Sequence, residues 1–221
     1  MRRRRSRLPE QAAAELLERA RAELAPLEAA ITRHRLLDDP AGLSDATLRA
    51  FAGEQHAILR SDRRSFAHLA GRFPDGPAGR LFLELATGEG LALEHLLVLA
   101  ASLGVDEEAL RAYEPRAETQ AYPAFVAWLA LNGSRADVAL AFLANLAAWG
   151  ANCGRLAQAL RGRVDVSFFE FFAKPPPDFE ESALAVVEQG LVAGESPGEA
   201  LRAAKRLQAY ELLYWDTIAG L

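Results

Sequence analysis

The stretch "YELLYWDTIAGL", from Tyr210, places a carboxyl group, Glu211, among large hydrophobic and aromatic side chains. At helical spacing Leu207, Tyr210, Glu211, Tyr214 and Ile218 share a broad face, and Trp215 lies one turn beyond Glu211. Two readings are open for this acid. Most glutamates are solvated, and this one could stand at the rim of the face. Enclosed among aromatics instead, it would have its pKa raised by lost hydration, which tunes an acid or base to neutral pH.

A second polar stripe lies in "SRADVALAFLANLAAWGANCGRLAQALRG", where Asn145, Trp149 and Asn152 recur at i, i+4 and i+7 on an otherwise apolar rod. A buried asparagine needs partners, since each unsatisfied group costs about 1–3 kcal/mol. Those partners are either neighbouring helices or the contents of a cavity. Metal chemistry finds few ligands. The four histidines are His34, His56, His68 and His95, and Glu94 and His95 are adjacent, pointing roughly 100° apart on a helix. The segment "ATGEG" at 86–90 sits in a helix-period stretch, so it is no phosphate loop, and no nucleophile elbow is present.

The elements that must position these groups are helical. Alanine and leucine dominate and β-branched residues are scarce. Residues 9–36 read as a helix that Pro26 kinks or divides. Ser44, Asp106, Ser134 and Ser196 are natural starts for later helices, and Gly104 is a natural stop. "VSFFEFFAKPPPDF" reads as a short aromatic helix halted by three prolines. The expected fold is all-α, a bundle of about seven or eight helices over residues 9–221, with the apolar helix near 136–150 at its centre.

Composition bounds the function. The chain has 221 residues, 51% hydrophobic and 25% charged, with a net charge of -5. An acidic body does not suit nucleic acid. Five arginines in "MRRRRSR" are expected to form a disordered basic tail over residues 1–8, with no apolar export signal behind them. No apolar run reaches the ~20 residues that span a bilayer. A lone cysteine, Cys153, fits a reducing cytoplasm.

Three blocks, "QAYPAFVAWLALNGSRADVALAFLANLAAWGANCGRL", "FFEFFAKPPPDF" and "YELLYWDTI", are similar in order and spacing to the TenA/THI-4 family of thiaminase-II-like proteins. "RHRLL", "LSDATLRAFAGEQHAIL" and "LEHLLVLAASLG" agree more loosely. The resemblance implies the haem-oxygenase-like helical fold, which some relatives use without metal, and release of hydroxymethyl-aminopyrimidine from thiamin or its degraded pyrimidine. It implies Glu211 as acid/base and Tyr122 as a pocket tyrosine. Asn145 falls where the nucleophilic cysteine stands, Gln55 falls at a substrate-orienting aspartate, and Trp149 and Phe172 replace pocket tyrosines. Some relatives without the cysteine use paired carboxylates, and Glu54 or Glu84 would then be the second acid. Tyr214 joins this set one turn before Ile218. No metal ligand or cofactor is expected.

The departures matter physically. Asparagine cannot attack as a thiolate, and glutamine offers no carboxylate to a ring nitrogen. Cys153 is about 12 Å along the helix from Asn145 and does not replace the nucleophile. The first expectation is therefore a metal-free enzyme acting on a small aromatic heterocycle in a central cavity, with thiamin-pyrimidine salvage as its most specific form. The alternative is a non-catalytic protein that binds a small apolar ligand or a partner. A cytoplasmic homo-oligomer is expected on the same resemblance. A transcriptional regulator and a di-iron oxidase fit the sequence poorly.

Overall fold

The computed structural model describes residues 9–221. The expected tail at 1–8 lies outside the described residues. Among the described residues nine α-helices follow in order: α1 (Pro9–Thr32), α2 (Asp45–Arg72), α3 (Gly76–Ser102), α4 (Glu107–Ala112), α5 (Ala117–Asn132), α6 (Arg135–Leu160), α7 (Ser167–Ala173), α8 (Phe179–Val192) and α9 (Pro197–Ile218). Two single turns of 3₁₀ helix, Arg35–Leu37 and Pro40–Gly42, join α1 to α2. No strand occurs among the described residues, so the fold is all-α.

Local chemistry sets the helix ends. Ser44, Asp106, Ser134 and Ser196 each accept a hydrogen bond from the first turn they cap, and Ser134 with Asp137 forms a reciprocal capping box. Gly104 ends the α3 region at φ +73°, a conformation that a Cβ disfavours. Pro26 does not divide α1, which runs unbroken to Thr32 and stops short of the expected residue 36. The bond lost at Pro26 is offset because Leu16, Leu17, Ala20, Leu24 and Ile31 all bury on one side of the helix.

Helix α6 is the hub, packed against α1, α5, α7, α8 and α9. Among the described residues it alone is long and apolar enough to cross a membrane, and its burial among those neighbours accounts for that apolarity. The helices enclose two hydrophobic cores placed end to end. One is built on Phe66, Phe82, Leu140, Val187 and Leu207, the other on Phe51, Leu99, Leu156, Phe168 and Trp215. The long helices α2, α3, α6 and α9 each contribute to both. Tyr122 on α5 packs against both cores, marking the waist between them.

Close backbone approach fixes the short aromatic helix α7 at that waist. A Cβ on Gly150 of α6 would lie 2.9 Å from the Phe172 carbonyl oxygen. Gly150→Ala must therefore push α7 away, at a cost of about 1–3 kcal/mol. At about 2–4 °C per kcal/mol for a chain of this size, the melting temperature is expected to fall by at least about 2 °C in a thermal scan. An unchanged melting temperature would show that α7 is not held by this contact.

Candidate functional site

Where the two cores meet, α2, α3, α6 and α9 each interrupt their apolar faces with a polar side chain. These are Asp62, Glu89, Asn145 and Glu211, and they line one cavity of about 450 Å³. That size suits a small organic ligand. The proline segment Pro175–Pro177, with Lys174 and Asp178, forms an exposed lip.

Glu211 is 2% exposed, which settles it as buried. Its carboxyl group is held from two sides. Trp215 Nε1–H, one turn on, donates to Oε1 at 3.1 Å, and Asn145 Nδ2–H donates to Oε2 in a short contact. The Tyr122 hydroxyl donates to Asn145 Oδ1 at 3.1 Å, which orients the amide so that its N–H groups face the acid. No cation pairs with Glu211 among the described residues. Burial therefore pushes its pKa up to about 8, and the bonds from Trp215 and Asn145 only moderate the rise. At neutral pH the group is mostly a neutral acid with a proton to give.

The aromatic wall comes from α6, α7 and α9. The Trp149 ring meets Phe172 edge-on at 5.7 Å and Tyr214 at 5.9 Å, and lies parallel to Phe51 at 6.4 Å. Such offset and edge contacts hold the rings rigidly enough to present a flat surface. Gln55, 4% exposed, lies beside the Tyr214 hydroxyl without a well-formed bond to it. Burial pushes the Tyr122 and Tyr214 phenols well up, so both stay neutral donors.

The structure brings Glu211, Tyr122, Asn145, Trp149, Phe172, Gln55 and Tyr214 to the same cavity, with Glu84 exposed near the lip. It does not bring Glu54 there. One residue from Gln55 is a rotation of ~100°, which turns Glu54 towards α4 and α5. There its carboxylate accepts hydrogen bonds from Tyr113 Oη at 2.9 Å, the Arg116 amide at 3.0 Å and the Thr119 hydroxyl in a short contact. It joins α2 to the start of α5 and is not the second acid of the cavity. Cys153 is fully buried outside the cavity wall, and burial, with a smaller contribution from Glu211, pushes its thiol well up.

Sequence reading missed Asp62 and Glu89. Asp62 follows Gln55 by two turns on α2, and that i+7 spacing is the signal that could have found it. It is 3% exposed, and its Oδ1 has no hydrogen-bond partner. Burial and then the nearby Glu89 push its pKa well up, while Glu89, half-buried at the cavity wall, is raised to about 8 by lost hydration. Among the described residues no three His, Cys, Asp or Glu side chains are grouped to hold a metal ion.

The pattern of the TENA/THI-4/PQQC family matches residues 21–218. The chain belongs to that family. No curated protein sequence matches it. Its fold is shared with a TenA homologue from Pyrococcus furiosus, at 18% identity and TM-score 0.73 over 92% of this chain and 99% of the other. A TenA homologue from Pseudomonas syringae pv. tomato gives 16% identity and TM-score 0.78, covering 92% of each chain. A TenA-like protein from Sulfolobus solfataricus, whose name gives thiaminase as a supposed activity, has 12% identity and TM-score 0.67 over 92% of this chain and 95% of the other.

Two outcomes follow. Glu54→Ala leaves Tyr113 Oη and the Arg116 amide unpartnered, while the Thr119 hydroxyl keeps the Arg116 carbonyl, and is expected to cost about 2 kcal/mol, or at least about 4 °C in melting temperature. A loss under 2 °C would contradict the joint's structural role. For Glu211, a folded pKa above the unfolded value means stability present at low pH and lost as pH rises from 4.5 through about 8. Glu211→Gln mimics the neutral acid. Its melting temperature relative to wild type should therefore rise by at least about 4 °C between pH 5.5 and pH 8.5. His56, whose buried ring has a lowered pKa, works in the opposite sense and cancels in this difference. A pH-independent difference would refute the raised acid.

Proposed function

We propose that this family member hydrolyses a small aminopyrimidine, with Glu211 as the proton donor and acceptor. The observation that supports the reading is the geometry of Glu211: a mostly neutral carboxyl in the wall of a ligand-sized cavity, fixed by Asn145 and Trp215. For aminomethyl-aminopyrimidine, the C–N bond breaks and a water oxygen takes its place on the methylene carbon. Glu211 gives its proton to the departing amine, which leaves as ammonia, and recovers one from the water. Asn145 holds the acid and carries no nucleophile, so water attacks directly. Tyr122 locks Asn145 in place, and Trp149 and Phe172 offer faces to the ring. The thiaminase name of the Sulfolobus relative agrees with a thiamin-related substrate.

A second reading is supported by Asn145 and Gln55. Amides at both positions suit a protein that binds the heterocycle and leaves it intact. Ammonia release from aminomethyl-aminopyrimidine separates the two. The enzymatic reading expects turnover that Glu211→Gln lowers by about 10²–10⁴-fold with the fold retained, and a kcat that declines as pH rises through about 8. Wild-type protein inactive on this compound and on thiamin, yet binding either one, would establish the second reading.

A further inference from the structure

The chemistry assigned to Glu211 leaves Asp62 and Glu89 without a task. The placement of Asp62 is the costly one, for Glu89 is only half-buried. Asp62 is 97% enclosed by its 3% exposure, its Oδ1 meets no donor, and the second acid, Glu89, lies close enough to oppose its ionisation. Among the described residues neither makes an ion pair or hydrogen bond with an Arg, Lys or His, whereas the exposed acids Glu23, Asp45 and Glu199 all have basic partners. Lys174 lines the same cavity but stands exposed at the lip. An acid that only braced α2 against α3 would be satisfied by the neighbouring helix, as Glu54 is by three donors. Asp62 instead lines the cavity, no donor among the described residues reaches its carboxyl group, and its Oδ1 is enclosed without a partner.

We propose that Asp62 and Glu89 form a subsite for a cationic nitrogen group, a protonated amine or amidine carried on a flat ring. Two carboxyl groups on adjacent helices can accept several N–H bonds at once, and an amidinium presents its N–H groups in the planar fork that carboxylates accept. A positive charge in the cavity also removes the repulsion between the two acids. The subsite is on the α2–α3 wall, whereas Glu211 and Asn145 are on the α6–α9 wall. Tyr122, whose phenol senses Asp62, Glu211 and Glu89 alike, stands between them. A ligand held by its cation against Asp62 would lay its ring along Trp149 and Phe172 and present its far side to Glu211. Specificity for charge and the proton transfer thus belong to different walls.

This inference rests on the proposal that the cavity is the ligand site, but its test requires no turnover. Benzamidine carries the planar cation, and benzamide is its neutral near-isostere. By isothermal titration at pH 7.5, wild-type protein is expected to bind benzamidine at least tenfold more tightly than benzamide. Asp62→Asn with Glu89→Gln should erase that preference, and Asp62→Asn alone should reduce it. Glu211→Gln should keep a preference of at least fivefold. Thermal melts show whether each variant folds, and the double variant, with neutral amides in place of two acids that lack a cation, should melt no lower than wild type. Equal binding of the two compounds, no binding of benzamidine, or a preference that survives the double variant would each overturn the proposal. Failure to hydrolyse aminomethyl-aminopyrimidine would overturn the enzymatic reading and leave this result standing.

Discussion

The structure depends on burying carboxyl groups where no cation neutralises them. Glu211 and Asp62 stand almost without exposure in a largely apolar wall, and the half-buried Glu89 joins them from α3. An isolated carboxylate in such surroundings is unfavourable by many kcal/mol, so the groups hold their protons instead. Around Glu211 the neighbouring donors offset part of that penalty and fix the acid in place. Tyr122 gives to Asn145, Asn145 gives to Glu211, and Trp215 gives to the other oxygen of the same acid.

The two-core architecture makes this arrangement tolerable. Four long helices run through both cores, and each bears its few buried polar residues among many favourable apolar ones. The buried leucines, phenylalanines and alanines on either side supply the stabilisation. The waist is then rigid from both ends, which is what an acid needs if it is to meet a reacting bond repeatedly in one geometry. Helix α7, pressed against Gly150, and the prolines after it complete the mouth.

Much of this was legible in the sequence, and the failures are instructive. Ser44, Asp106, Ser134 and Ser196 announce helix starts because their side chains satisfy local amides, a short-range effect that tertiary packing does not override. Tyr122, Asn145, Trp149, Phe172 and Glu211 were readable because their spacing resembles a known family's blocks. Asp62 was not, since "RSDRRSF" surrounds it with arginines that suggest solvent; those arginines point away from the face that carries Asp62. Glu89, between glycines in "ATGEG", likewise looks like a surface residue. Glu54 misled in the other direction. Its neighbour Gln55 does reach the cavity, and only the helical rotation between them reveals that Glu54 cannot. Pro26 shows that a helix with enough buried surface absorbs one missing hydrogen bond.

The central claim is that Glu211 is a proton donor at neutral pH, and its titration can be observed directly. Carboxyl-carbon NMR of protein labelled at glutamate Cδ, compared with the same spectrum of Glu211→Gln, assigns the resonance by its absence. The account predicts a Glu211 signal at the chemical shift of a neutral acid at pH 6.5 that moves with a midpoint near 8. A midpoint near the ordinary 4.5 would mean an ionised carboxylate in the wall at neutral pH, and would contradict the account.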